Sequence, residues 1–325
     1  MIGRRGILAA GGGLLAAPLA SPRVLAQAWP ARPIRMIVPY PPGGATDAMS
    51  RLAAQKIQEK MGVPVVVENR SGANGQVGSN AVLQAGADGY TILGSASIHV
   101  MARSVMRNVP YDPVTDFVPL ARTARGPLVL VMSPQRPQRD IPEIVAAAKA
   151  EPARWSFATS SLGSAGHLGT IEFNRVTGAN IEIVGYRGTA PALTDVAGGN
   201  AHLMFDPVLA TLPMVRGGQL RGLGIATAAR TPLAPDLPTM AEAGLPGFEF
   251  YSWYGVWAPR GVPAEIVARY NAALVEGMRD AAVVERLTGL GFEAVAESVA
   301  EAERFINADV ARNVELLRIA NFQPQ

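Results

Sequence analysis

In this 325-residue chain the residues best suited to chemistry are glycines and hydroxyls placed where strands give way to helices. The first group is Pro39-Tyr-Pro-Pro-Gly-Gly-Ala-Thr-Asp47. Pro39, Pro41 and Pro42 fix φ and carry no N–H, whereas Gly43 and Gly44 permit positive φ and close approach of another molecule. From Gly43 onward the N–H groups fall at a helix start, the positive end of its dipole. Tyr40, Gly43, Gly44, Ala45 and Thr46 therefore make a candidate site for a carboxylate or phosphate. Thr46 and Asp47 also supply N-cap chemistry, and an ordinary capped βα turn carries the same signature.

A second segment, Phe157-Ala-Thr-Ser-Ser-Leu-Gly-Ser-Ala-Gly-His-Leu168, repeats the arrangement. Thr159, Ser160 and Ser161 end a short strand, and Ser164, Ala165 and His167 lead into a helix, offering N–H and O–H donors to an anion. One such loop in each of two lobes would let a single small acid bridge a cleft; two generic capped turns are the alternative. In a third segment, Tyr186, Arg187 and Thr189 sit at a strand end. Arg187 is either a carboxylate ligand or a solvated ion-pair partner. Asp206, closing Leu203-Met-Phe205, is a cleft acceptor or a turn residue ahead of Pro207.

Catalytic patterns are thin. Gly163-Ser-Ala-Gly166 places its serine one position early for a nucleophile elbow. His167 stands at a helix start, His99 and His202 are far apart, and no metal-ligand spacing occurs. Gly72-Ala-Asn-Gly-Gln-Val-Gly78 misses the dinucleotide spacing. It reads as a further glycine-rich βα loop, with Ser71 and Asn74 available to cap or to touch ligand. The lysines are Lys56, Lys60 and Lys149, none after a glycine, so there is no P-loop. With 0 cysteines, disulfides, thiolate metal sites and Cys nucleophiles are excluded. A secreted α/β hydrolase-like or nucleotide-binding enzyme is therefore the weaker reading, and no cofactor or metal is expected.

These loops need strands and helices to hold them. Apolar strand patterns at Val65–Glu68, Thr91–Ser95, Leu128–Met132, Ser156–Thr159, Ile181–Val184, Leu203–Phe205 and Leu223–Ala226 alternate with helical periods. The helical stretches are Asp47–Lys60, Ile141–Ala150, Leu168–Thr177, Ala190–Ala197, Pro263–Asp280 and Val299–Ile319. That alternation predicts α/β architecture with parallel sheets. Two crossovers, at Leu128–Met132 and in the aromatic run Phe248–Pro259, bracket an inserted domain. One lobe is expected over 29–130 plus 254–325 and the other over 131–253, with a hinged ligand cleft beyond the strand ends.

Residues 1–28 read as an export signal. Arg4 and Arg5 form a basic start, Ile7–Ala20 is apolar but too short and glycine-rich to span a bilayer, and Ala26-Gln-Ala28 is a cleavage pattern. The expected destination is the periplasm, by the Sec or the twin-arginine route. Those residues hold three arginines and no acid. The remainder has 29 − 3 = 26 basic residues against 26 acidic ones, a formal net charge of zero. Nothing there favours nucleic acid or an anionic membrane as partner.

Several further blocks, taken in order, resemble one family: Val67-Glu-Asn-Arg-Ser-Gly-Ala-Asn-Gly75, Asp88-Gly-Tyr-Thr91, Pro110-Tyr-Asp-Pro-Val-Thr-Asp-Phe117, Tyr186-Arg-Gly-Thr-Ala-Pro-Ala192, Pro235-Asp-Leu-Pro-Thr239 and Pro246-Gly-Phe-Glu249 with Trp253-Tyr-Gly255. Together with Pro39–Asp47 and Gly163–Leu168, they resemble the extracytoplasmic solute receptors of tripartite tricarboxylate transporters, the Bug proteins. The resemblance implies a two-lobed type II periplasmic binding protein fold. Such a receptor closes as a monomer on a mono- or dicarboxylate and delivers it to a large and a small integral-membrane subunit. It also implies ligand contacts, often through waters, from Gly43 to Asp47 and Thr159 to His167, with Asp206 at the cleft. The chain departs from the family at Met101-Ala-Arg103, after His99, and at Arg187, where lysine is common.

Overall fold

The computed structural model describes residues 29–325, and the expected export signal lies outside them. The chain opens with β1 (Ile34–Val38), α1 (Ala45–Met61), β2 (Val65–Asn69), α2 (Gln76–Gln84), β3 (Thr91–Ala96) and the short α3 (Ala102–Val105). A long strand, β4 (Phe117–Met132), leads to α4 (Ile141–Ala150), β5 (Ser156–Thr159), α5 (Ala165–Thr177) and β6 (Glu182–Gly185). Next come α6 (Thr189–Gly198), β7 (Leu203–Pro207), α7 (Val208–Arg216) and β8 (Arg221–Ile225). The chain closes with β9 (Tyr251–Pro259), α8 (Ala264–Met278), α9 (Ala281–Gly289), β10 (Glu293–Ala294) and α10 (Val299–Ile319).

The strands run in the order β2-β1-β3-β9-β4-β7-β5-β6, with β8 and β10 paired to β4. The β1–β2, β1–β3, β5–β6 and β5–β7 pairings are parallel, as the alternating pattern predicts. The middle of the molecule is antiparallel. β4 pairs with β9 over Phe117 to Pro127, then with β7 over Leu128 to Met132. One sixteen-residue strand thus belongs to both halves of a two-lobed fold. The predicted strand Leu128–Met132 is only its second part. Pro119, Pro127 and the charged Arg122 and Arg125 hide the first part in sequence. Register shifts beside Pro119 and Arg122 accommodate the irregularity.

Apolar clusters form under both sheets. Ile34, Met36, Ile57, Ile92, Val256, Tyr270 and Leu274 pack between the first sheet, α1 and α8. Leu128, Leu130, Ile144, Phe157, Leu168, Phe173 and Phe205 fill the second half. The end of α10 joins that second cluster through Leu317, and Phe322 stands edge-on to His167 at 5.2 Å. In mid-helix, the Trp253 indole donates to Asp309 at 3.0 Å. The C-terminal helix therefore touches both halves. No helix among the described residues is long and apolar enough to cross a membrane.

Candidate functional site

β1 is almost wholly buried and delivers the chain to Pro39–Gly44. Gly43 has φ +88°, a left-handed conformation that a Cβ would strain. α1 begins at Ala45, with Gly44 as its N-cap and no side-chain cap. This corrects the capping role expected of Thr46 and Asp47. Asp47 lies inside the first turn, where its carboxylate accepts the Gly43 N–H at 3.1 Å and Arg51 Nε at 3.0 Å. Asn69 Nδ2 donates to Asp47 at 2.9 Å and to the Tyr40 carbonyl at 3.0 Å. Desolvation works to raise the Asp47 pKa, but the bonds from Arg51, Asn69 and Gly43 prevail and hold it below the usual carboxylate range. The Gly43 amide is thus consumed internally. Those of Gly44, Ala45 and Thr46 precede the first helical bond, Ala48 N–H to the Gly44 carbonyl.

The second loop is braced in a similar way. Ser164 caps α5, its hydroxyl accepting the His167 N–H at 3.1 Å. Thr159 Oγ1 donates to the Ser161 carbonyl at 3.4 Å. The His167 ring turns away toward Phe322, and its Nδ1 accepts the Gly163 N–H at 3.1 Å. Burial lowers its pKa to about 4, so the ring is neutral. These bonds leave the Ala165 and Gly166 amides at the helix start. A Cβ on Gly166 would clash with the Phe205 carbonyl, so only glycine lets α5 approach β7 this closely.

A third helix starts alongside. The Gly188 N–H donates to the Ser160 carbonyl at 2.9 Å, tying the α6 entrance to the β5–α5 loop. Thr189 opens α6 and its hydroxyl reaches Asp206, at the end of β7, at 3.4 Å. Tyr186 points elsewhere, its hydroxyl donating to Asp195 at 2.8 Å.

These starts converge on one cavity of about 460 Å³. Among the predicted residues, Tyr40, Gly43, Gly44, Ala45 and Thr46 line it from the first half. Ser160, Ser161, Ser164, Ala165, Thr189 and Asp206 line it from the second. Asp47, Thr159, His167 and Tyr186 do not. Arg187 lies exposed at its rim. Asn74 is not a lining residue either; it donates to the Leu162 carbonyl at 2.8 Å and so links the β2–α2 loop to the second half. His99 is buried among Tyr111, Phe117 and Trp257, which lowers its pKa to about 3.

Sequence reasoning missed Ser97 and Ile98, Ser252 and Tyr254, and an apolar wall made by Pro191, Leu193, Ala210 and Met214. Ser97 was discoverable, since it follows β3, whose end points into the cleft with those of β1 and β5. The α7 part of the wall was not, because that helix carries Pro213 inside it and does not read as a helix. Among the described residues no cluster could hold a metal ion.

The tripartite tricarboxylate transporter family receptor model matches residues 49–322. The chain belongs to that family. This receptor is 39% identical over 304 residues to BugT of Bordetella pertussis, covering 93% of each chain. A Rhodopseudomonas palustris protein solved with adipate superposes with a TM-score of 0.86 at 37% identity, covering 91% of this chain and 100% of that one. MatC from R. palustris, with bound malate, gives 0.82 at 30% identity, over 89% and 100%. The receptor thus has a periplasmic binding protein fold, and the cavity opens where its two halves meet.

Proposed function

We propose that this protein is a periplasmic receptor that captures a small mono- or dicarboxylate and hands it to the two membrane subunits of a tripartite transporter. One observation carries the reading: the starts of α1, α5 and α6, from both halves, converge on a single cavity. Orphan amides at helix starts, aided by the dipoles, favour an anion without a compensating side-chain cation. The relatives solved with adipate and malate support the ligand class. The site comprises Tyr40, the amides of Gly44 to Thr46, the Ser160–Ala165 loop, Thr189 and Asp206. Asp47, Thr159, His167 and Tyr186 hold those loops in place. The protein reaches the periplasm by a signal cleaved after Ala28, works as a monomer, and returns its ligand chemically unchanged. Its lobes are 29–130 plus 254–325 and 131–253.

A thermal-shift panel of organic acids tests this. Ligand at about 100 times its Kd stabilises the native state by roughly 2.7 kcal/mol. That corresponds to several degrees, at about 2–4 °C per kcal/mol for a chain of this size. The methyl ester or amide of the same acid should give little shift. An ester that binds as well as its acid would refute the anion cradle, and an acid recovered chemically altered would make the protein an enzyme.

A further inference from the structure

We propose that Asp206 carries a proton whenever ligand is bound, so that at alkaline pH the receptor takes up close to one proton from solvent with each organic anion it captures. This rests on the carboxylate-binding reading of the cavity. Asp206 is 2% exposed, yet it lines the cavity. Its partners are hydroxyls alone: Thr189 Oγ1 at 3.4 Å and the Ser160 side chain. No guanidinium or ammonium pairs with it. A buried carboxylate without a cation is costly, and a protonated one is not.

The surroundings offer no other charge to balance it. From β4 the residue opposite is Val129. α5 presents Gly166, β5 ends in Thr159, and the α6 start presents Thr189, with Arg187 exposed at the rim. From β9 comes Tyr254, whose phenol burial pushes far above its ordinary range and which therefore stays neutral. His167 on α5 is neutral and faces away. On α7, Arg216 lies at the far end, bonded to the Leu233 carbonyl. Two further buried hydroxyls line the cavity, Ser97 without a protein partner and Tyr254 beside Ser252. The cavity floor is thus a set of uncharged hydrogen-bonding groups with one acid among them.

Burial, offset only in part by the Thr189 and Ser160 hydroxyls, raises that acid to about 7. A ligand carboxylate entering the same cavity adds a like charge, which pushes the group further toward its protonated form. The neutral carboxyl donates to an acceptor oxygen of the ligand, whereas the ionised one would repel it. The proton comes from solvent, sits on an Asp206 carboxyl oxygen, and leaves again when the ligand does. No covalent bond forms or breaks.

The test is calorimetry of the mature protein with adipate, malate, succinate and benzoate, in buffers of different ionisation enthalpy. From about pH 7 to 9 these acids are fully ionised, so proton exchange reports on the protein. Uptake should approach one proton per ligand at the alkaline end, where affinity should fall by up to about tenfold per pH unit. Asp206→Asn, an uncharged isostere, should bind the same acid with no proton uptake and flat affinity, at least as tightly as the wild type at alkaline pH. Zero uptake by the wild type would overturn the inference while leaving the receptor reading intact. So would a folded Asp206→Asn protein that has lost binding, since Asp206 would then be an anion accepting from a ligand donor. If the variant does not fold, the wild-type proton count decides alone. Failure of every acid to bind the wild type would overturn the receptor reading itself.

Discussion

Asp47 shows how a single carboxylate can shape a cavity that it does not line. It neutralises Arg51, fixes Asn69, and consumes the Gly43 amide, beside Gly44, Ala45 and Thr46, which line the cavity. Asp47→Ala should lower both melting temperature and ligand affinity. Leaving the Gly43 and Asn69 donors unsatisfied costs about 1–3 kcal/mol. Thermal denaturation and calorimetry on one preparation check this; abolished binding at unchanged stability would point instead to direct ligand contact. The histidines make a second prediction. His99, His167 and His202 are all held below their ordinary pKa, to about 3, 4 and 4, by burial, with Arg136 adding to His202. Such groups contribute stability that is full above about 6.5 and lost as pH falls toward about 4. Asp206, raised to about 7, has the opposite sign over that range. Three groups outweigh one, so the ligand-free protein should melt lower at about pH 5 than at pH 7.5, and Asp206→Asn should steepen that loss. A melting temperature independent of pH would contradict these assignments.

At the scale of elements, the helix start is the working unit. Ala45 is the first residue of α1, a position where proline is well tolerated because its N–H has no helical partner. Gly44 before it has φ −81° and ψ 170°, which suits a residue preceding proline. Ala45→Pro therefore deletes one cavity amide while leaving the fold intact. It should keep or slightly raise the ligand-free melting temperature and weaken acid binding by about 1.5–3 kcal/mol, the worth of a hydrogen bond to a charged group. Unchanged affinity would move the ligand away from α1. Most elements were legible in the sequence. Ile141–Ala150, Ser156–Thr159 and Val299–Ile319 lie where periodicity places them. The missed ones have local reasons: Gly78 interrupts α2, Pro213 interrupts α7, and two prolines and two arginines break the apolar pattern of β4.

At the scale of the molecule, β4 and β9 run side by side where the halves meet. Closure on a saturating acid should reduce the radius of gyration in small-angle scattering; superimposable curves would argue for a preformed, rigid site. The tryptophans near the crossing are poor reporters. Trp253 and Trp257 are buried, and the Trp253 indole bonds to Asp309, whereas Ser252 and Tyr254 on the same strand face the cavity.

The sequence by itself determined the alternation of strands and helices, the family, and the glycine and hydroxyl loops of the site. Each is a local property: a period, a turn chemistry, an order of motifs along the chain. Only the tertiary structure decided which loop residues face the cavity. Asp47 and Tyr186 carry hydrogen-bonding groups as suitable as those of Thr46 and Thr189, but Arg51 and Asn69 claim the one and Asp195 the other. The environment of Asp206 is likewise a product of packing. Val129, Gly166, Thr189 and Tyr254 come from four different elements, and the burial they create is what raises its pKa.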